Sequence, residues 1–240
     1  MDYAREFLNE VSRFGDVVFA ADPEAPVPSC PGWTMTQLFR HVGRGNRWSA
    51  QIVGDRMDTA LDPREVREGR PPADDAGARQ WLVEGGQALL DAVDSTGADT
   101  PVWTFTGPQR ADWWVRRRLH EVLVHRADAA LAAGVGFEVD GAVAADAISE
   151  WLGLAAILSP GIGESSVHLH ATEDGLGSEG EWLITGKAFA HEHAKADAAV
   201  RGSAAELLLI TTNRRAVADA DVEVFGDEQV LQSWLAGSKL

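Results

Sequence analysis

The sequence contains little cysteine, few basic residues and no long apolar run, and each shortage excludes a class of protein. Cys30 is the single cysteine among 240 residues, so no internal disulfide can form, which fits a reducing compartment. No apolar run approaches the roughly 20 residues that cross a bilayer, and the N-terminus lacks the basic and apolar segments of a signal peptide. We therefore expect a soluble, cytoplasmic protein.

The balance of charge excludes a second group of functions. The chain has 21 basic and 37 acidic residues, a formal net charge of -16, which would repel nucleic-acid phosphates and anionic lipid head groups. The dense basic cluster at Arg116 to Arg118 is confined to one predicted helix. Nucleic acid and membranes are therefore not expected partners. With 45% hydrophobic residues, the chain can bury the core of one large or two small domains.

Apolar residues in the first part of the chain repeat at the helical period and predict five helices. Thr34 and Gln37 form a capping box at the start of the second helix, and Gly134 is a plausible stop for the fourth. Gly85 and Gly86 weaken the third. The predicted helices lie at about residues 7–18, 34–52, 82–93, 112–133 and 143–158.

Beyond Pro160 the apolar period changes from helical to alternating. Val167, Leu169 and Ala171 alternate with polar residues, and the segments EWLIT and DVEVFG are further strand candidates. Two short helices are predicted in this part, one after the capping box of Ser203 with Glu206 and one after Asp227. The sequence thus predicts an α+β protein, with a helical domain over 1–160 and a small α/β domain over 161–240.

His41, Glu121 and His125 are candidate ligands of one metal ion. Glu121 and His125 are four residues apart on a predicted helix, so their side chains share one face, about one turn apart. His41 lies near the second turn of another amphipathic helix. Three protein ligands leave one coordination position open, as in catalytic zinc sites. The competing interpretation is an ordinary glutamate–histidine pair on a helix.

Two segments carry a resemblance to a known family. VPSCPGWTMTQLFRHVGR, followed later by RRRLHEVLVHRADAALAAG, resembles the mycothiol-dependent maleylpyruvate isomerase family. The resemblance implies a DinB-like helical bundle, then a domain similar to sterol carrier proteins, with His41, Glu121 and His125 as zinc ligands. It also implies an arginine of the second domain that faces the metal, for which Arg214 matches better than Arg215. Relatives commonly show tryptophan and glycine before this arginine, where this chain has Thr212 and Asn213.

The ligand set predicts activation of a thiol. Zinc, or another divalent ion, held by two imidazoles and one carboxylate keeps a positive charge and favours a bound thiolate. Cys30 is interpreted as a packed side chain, so the thiol is expected from outside, as mycothiol by resemblance. The thiolate would isomerise a cis double bond by addition and elimination, or transfer to an electrophile. Arg214, Arg44 and Arg47 are candidate cations for the substrate, and Trp114 is a candidate lining residue; solvated helix positions are the preferred interpretation of Arg44 and Arg47.

Two other functions remain open from the sequence: a small-molecule carrier using an apolar groove of the second domain, and a metallohydrolase that needs no thiol. The expected partners are a small-molecule electrophile and a low-molecular-weight thiol, with the protein a monomer or homodimer. A second metal site among His168, His170, His191 and His193 is conceivable, but exposed strand histidines are the preferred interpretation.

Overall fold

The chain forms two compact units in the computed structural model, which describes residues 1–159, 161 and 163–238. The first unit is Met1–Phe137 and the second is Glu138–Leu240. Pro160, where the sequence placed the domain boundary, lies outside the described residues. The division between the units comes earlier in the chain, so the fifth predicted helix belongs to the second unit.

The first unit is built from four helices, as its apolar periodicity predicts. Helix α4 packs against α1 and α2, and α3 packs against the same two helices. A short hairpin of β1 and β2 precedes α4. The bounds are α1 Tyr3–Ala20, α2 Met35–Gly54, α3 Asp75–Thr96, β1 Pro101–Val102, β2 Gln109–Arg110 and α4 Trp113–Ala133.

The start and end of these helices follow from local side chains. At the start of α2 the backbone N–H of Thr34 donates to Oε1 of Gln37 at 2.6 Å, which is one half of the predicted capping box. Asp2 and Asp74 accept backbone N–H groups at the starts of α1 and α3. Gly134 ends α4 in the left-handed conformation, with φ 67°, as expected for a glycine at that position.

Helix α4 is buried on most of its surface, so even its charged residues need internal partners. Arg126 donates to Glu10 of α1, with Nε 2.6 Å from Oε2, and its guanidinium lies over the ring of Phe137. A buried ion pair of this kind costs free energy if one partner is removed, because the other charge is left without compensation. The polar face of α4 is therefore part of the interior of the unit.

In the described part of the second unit, three α-helices pack with a five-stranded mixed sheet of order β5-β4-β3-β6-β7. β3 runs parallel to β6, and the other neighbouring strands are antiparallel. Ser203 and Asp227 cap α6 and α7 as the sequence predicts. The bounds are α5 Gly141–Leu158, β3 Ser166–Ala171, β4 Glu181–Thr185, β5 Ala188–Ala190, β6 Ala198–Gly202, α6 Ala204–Thr211, β7 Val222–Gly226 and α7 Glu228–Gly237.

Helix α5 is long and apolar enough to cross a membrane by length and composition, and no other helix in the described part of the chain meets that test. More than half of it is buried inside the protein. It packs on α6 and β5, and Oγ of its Ser149 accepts the indole N–H of Trp182 at 2.9 Å. These contacts identify α5 as a core helix of a soluble fold. They also explain why α5 belongs to the second unit.

Candidate metal centre

Two helices of the first unit bring His41, Glu121 and His125 together. Nε2 of His41, on α2, lies 3.3 Å from Oε1 of Glu121, on α4. The rings of His41 and His125 are 5.0 Å apart between centroids and nearly perpendicular. One ligand atom from each residue lies within 4.8 Å of the other two. This juxtaposition agrees with the expected cluster.

The donor set fits a divalent transition metal. Two imidazole nitrogens and one carboxylate oxygen are ligands found in catalytic zinc sites, where a fourth position stays open. All three side chains are partly accessible, with exposed fractions of 36% for His41, 24% for Glu121 and 12% for His125. An ion could therefore reach them from solvent.

Asp128 orients the ring of His125. Its Oδ2 lies 2.8 Å from Nδ1 of His125, and the Asp128 side chain is fully buried. With Nδ1 engaged by a carboxylate, the ring presents Nε2 as its ligand atom. The thiol of Cys30 also contacts Asp128, with Sγ 3.5 Å from Oδ2. A carboxylate behind a histidine ligand is the arrangement that raises the basicity of the ligand in metal sites.

Glu121 is held by two arginines from the preceding turn of α4. Nη1 of Arg118 lies 2.7 Å from Oε1 of Glu121, and Nε of Arg117 lies 3.6 Å from Oε2. Arg118 is itself anchored to α2, because its Nε donates to Oδ1 of Asn46 at 2.9 Å and Nη2 donates to the Val42 carbonyl at 3.2 Å. A carboxylate has about four acceptor positions, so these contacts leave capacity for a metal ion.

The electrostatics put both α4 ligands in the protonation state that a metal needs. Burial alone would raise the pKa of Glu121, but Arg118 first, then His41, Arg117 and His125, hold that pKa well below its usual range. Burial lowers the pKa of His125, although its contacts with Asp128 and Glu121 oppose the shift. At neutral pH Glu121 is therefore anionic and His125 neutral.

The other residues considered from the sequence have different surroundings. Trp114 is 1% exposed; its indole N–H donates to the Trp103 carbonyl, and its ring packs on Trp48 and Trp113. It is therefore a core residue rather than a surface on which a cosubstrate could stack. Arg44 is exposed on α2.

Arg47, the third cation considered, has a structural role. It is buried, and its guanidinium donates to Oε2 of Glu68 and to the Trp81 carbonyl, both at 2.9 Å. Burial lowers the pKa of Arg47, against the opposing effect of Glu68 and Glu84. These bonds tie α2 to α3 and to the loop before α3, which is not the position of a substrate-binding cation.

The two candidate arginines of the second unit follow α6. Nη1 of Arg214 donates to the carbonyl of Thr212 at 2.7 Å, at the end of the helix. Arg215 forms an ion pair with Glu206 of the same helix. Asn213, which precedes the two arginines, has a positive φ of 59°, and its side-chain amide donates to the Leu235 carbonyl. Arg215 is thus committed to a carboxylate within its own unit.

Sequence reasoning missed three neighbours of the cluster: Asp128, Arg118 and Trp33. Asp128 follows His125 by three residues and Arg118 precedes Glu121 by three, so the spacing on α4 already put each on the same helix face as its partner. The ring of Trp33 lies 4.8 Å from that of His41 between centroids. A tryptophan just before a helix start gave no comparable signal, because its side chain can turn to several neighbours.

Family models match both parts of the chain. Residues 4–130 match the mycothiol maleylpyruvate isomerase N-terminal domain, and residues 142–233 match the MDMPI C-terminal domain. No curated protein sequence matches the chain.

Two solved structures show the same fold over nearly the whole chain. The crystal structure of the mycothiol-dependent maleylpyruvate isomerase is similar with a TM-score of 0.64 and 17% identity, covering 93% of this chain and 91% of that one. A histidine-to-alanine mutant of a mycothiol-dependent maleylpyruvate isomerase gives a TM-score of 0.63 at 14% identity, with 92% of each chain covered. Since both domain matches come from one family and together span most of the sequence, the chain belongs to the mycothiol maleylpyruvate isomerase family.

Proposed function

We propose that the protein is a metal-dependent enzyme that uses a low-molecular-weight thiol, mycothiol by family, to isomerise or to modify a small electrophile. The observation that carries the proposal is the cluster of His41, Glu121 and His125 with Asp128 behind it. Family membership and the activity in the name of the similar solved structures support the same reaction class. The proposed setting is the cytoplasm, where such thiols stay reduced.

His41, Glu121 and His125 would hold the ion, preferably zinc, since the donors are nitrogen and oxygen. A zinc ion with these ligands supplies a positive charge that favours the thiolate form of a thiol at neutral pH. Because no thiolate of the protein is among the three ligands, nickel, cobalt or manganese could replace zinc more readily than in a cysteine site.

The protein's own residues then have three tasks. Asp128 keeps His125 in one tautomer, and Arg118 keeps the Glu121 carboxylate in place and anionic. The thiolate sulfur would add to one carbon of an activated cis double bond while the electron pair of that bond moves onto the conjugated carbonyl. The resulting single bond would rotate, and return of the electron pair would expel the same thiolate and leave the trans isomer. A cation must balance the negative charge of the substrate, and we assign this to Arg214.

Displacement of a leaving group by the same thiol would instead make the protein an S-transferase. Both reactions require the same cluster and differ only in the electrophile. The alternative of a small-molecule carrier finds no support in the cavity that described residues of α5, β5 and α7 form in the second unit, because it measures about 20 Å³. That volume holds one water molecule and no apolar ligand.

The test is a panel of electrophiles, including a cis-configured unsaturated diacid, incubated with mycothiol and the zinc-loaded protein. Consumption or catalytic turnover of the thiol that depends on metal supports the proposal. His125→Ala should lose one equivalent of metal and the activity. His191→Ala, which removes a histidine bonded to backbone carbonyls in the second unit, is the matched control. Equal metal content in the two variants would remove His125 from the site, and activity without any thiol would favour a hydrolase.

A further inference from the structure

A second cluster of histidines lies on the sheet of the second unit. His168 and His170 alternate along β3 with Val167 and Leu169, which are fully buried, so the two histidines lie on the opposite face of the sheet. β4 runs antiparallel to β3, and Glu181 is the register partner of His170. Cross-strand partners carry their side chains on the same face. Two histidines and a glutamate are thus brought together by strand register alone.

A third histidine, His193, reaches the same carboxylate from the segment after β5. Its Nδ1 lies 3.0 Å from Oε1 of Glu181. Nε2 of His168 lies 2.7 Å from Oε2, and Nδ1 of His170 lies 2.7 Å from Oε1. The rings of His168 and His193 are 5.3 Å apart between centroids, and those of His170 and His193 are 5.8 Å apart. Three imidazoles therefore converge on one carboxylate.

Two polar atoms at the centre of this group are poorly satisfied. Nε2 of His168 and Oε2 of Glu181 are both buried and lie 2.7 Å apart, without a well-aligned hydrogen bond from either atom among the described residues. Buried polar atoms without a well-aligned partner are rare, and a bound ion is one of the accepted explanations.

The side chains of this group are also of the types that transition metals bind. A neutral imidazole has one ring nitrogen with a free lone pair, and a carboxylate such as that of Glu181 has about four acceptor positions. Neutral imidazoles with a carboxylate are the ligands that zinc, nickel, cobalt and copper share.

We propose that His168, Glu181 and His193, joined by His170, bind a second divalent transition-metal ion in the unit Glu138–Leu240. One ligand atom from each of His168, Glu181 and His193 lies within 4.8 Å of the other two. Two paired strands hold His168 and Glu181, whereas His193 is 75% exposed and leaves the site open to solvent. The ion would fasten the segment after β5 to the sheet. This inference is independent of the proposed enzymatic function.

The test isolates the second site by removing the first. Metal-free His41→Ala/His125→Ala protein, without a histidine tag, is titrated with Zn²⁺ and separately with Co²⁺. We expect one saturable equivalent, a visible Co²⁺ spectrum with nitrogen and oxygen ligands, and a rise in the unfolding temperature as the ion binds the folded state. His193→Ala and Glu181→Gln in this background should each lose the equivalent.

His193 is the preferred variant because it lies at the surface, where truncation does not threaten the fold. His191→Ala, two residues away and bonded to backbone carbonyls, should keep the equivalent. The absence of a saturable equivalent in the double variant would overturn the proposal, and so would an equivalent that survives both His193→Ala and Glu181→Gln. Neither result bears on the site of His41, Glu121 and His125, because that site is tested in protein that retains His41 and His125.

Discussion

At the scale of single residues, the candidate metal centre depends on side chains that contact the three candidate ligands from behind. Asp128 and Arg118 do not belong to the set of three donors, yet each fixes the orientation or charge of one donor. Such outer partners tune both affinity and reactivity in metal sites. Substitutions that spare the ligands can therefore report on the centre.

Replacing Asp128 by asparagine should weaken metal binding while preserving the fold. The amide has nearly the same shape and can still accept a bond from Nδ1 of His125, but it carries no charge to strengthen the ligand. We expect a loss of about 10–100-fold in affinity, the usual effect of removing such a partner. Competition with a chromophoric chelator measures it, with circular dichroism as the check on folding. Asp94→Asn, at an exposed position of α3, is the control, and equal affinities would refute the role of Asp128.

Cys30→Ser should keep most of the turnover with an external thiol. The structure places the Cys30 thiol as a partner of Asp128, and a serine hydroxyl can donate to the same carboxylate. Steady-state rates with mycothiol and an accepted electrophile test the expectation. Complete loss of activity, with metal content and fold intact, would instead indicate an internal nucleophile.

At the scale of helices and strands, glycine sets how closely the helices of the first unit approach. A Cβ added at Gly43 of α2 would lie 2.1 Å from the ring of Trp81 on α3. A Cβ at Gly85 of α3 would lie 3.4 Å from the Gly43 carbonyl, and one at Gly86 would lie 3.4 Å from Val11 of α1. The two glycines expected to weaken α3 are thus the positions at which its neighbours come near.

Gly43→Ala should therefore destabilise the protein. Trp81 is buried and its indole N–H is bonded to the Glu68 carbonyl, so the ring cannot move aside freely. We expect the free energy of unfolding to fall by about 1–3 kcal/mol, the usual cost of overpacking a core. Urea unfolding of the metal-free protein measures the change. In Gly54→Ala, on the same helix, the new Cβ would make an ordinary contact of 3.8 Å with Ala92, and that variant should be neutral or stabilised by about 0.4–1 kcal/mol. Equal stabilities would contradict the packing argument.

The elements recovered from the sequence are those with a clear period and a local cap. The helices of the first unit, the strands β3, β4 and β7, and the capped helices α6 and α7 agree with the pattern. β6 was missed because Ala198–Gly202 is short, rich in alanine and lacks β-branched alternation, although it pairs with β3 and β7. Its place in the sheet comes from long-range pairing, which no local window contains.

The candidate metal centre could likewise be predicted from the sequence only in part. The spacing of Glu121 and His125 on one helix was visible in the sequence, whereas the approach of His41 to within 3.3 Å of Glu121 depends on the packing of α2 on α4. The prediction that His41 joins Glu121 and His125 rested on the resemblance to the family. The second histidine cluster had no such support, and its carboxylate, Glu181, lies in another strand that only the sheet register brings near.

At the scale of the whole molecule, the net charge of -16 contrasts with the cations beside the first cluster. Arg117 and Arg118 compensate the carboxylate of Glu121, and an ion would add further positive charge to this region. An anionic substrate would meet a favourable local potential in an otherwise acidic protein.

Arg214→Ala should leave the metal content unchanged and lower kcat/KM by about 100-fold or more, as expected when one fixed donor to developing charge is lost. Arg214→Lys should also be damaging, because it removes the planar pair of donors. The opposing interpretation is a helix-end role, shown by the bond from Nη1 to the Thr212 carbonyl. Arg201→Ala, at an exposed position paired with Glu223, is the control. If Arg214→Ala and Arg215→Ala each lose a little stability and keep almost all of the activity, the proposal that the second unit supplies a cation to the reaction is wrong.

The pairing of Arg118 with Glu121 and of Asp128 with His125 has a consequence for how the protein acquires its ion. Each α4 donor already has a neutralising or orienting partner, so the two side chains are held in place without the ion. The helical unit should therefore fold before it binds the ion, unlike small zinc domains that are unfolded without their metal. A chelator should strip the ion while the far-ultraviolet spectrum of the helices stays unchanged. Which metal occupies the finished protein would then be decided by cellular supply and exchange.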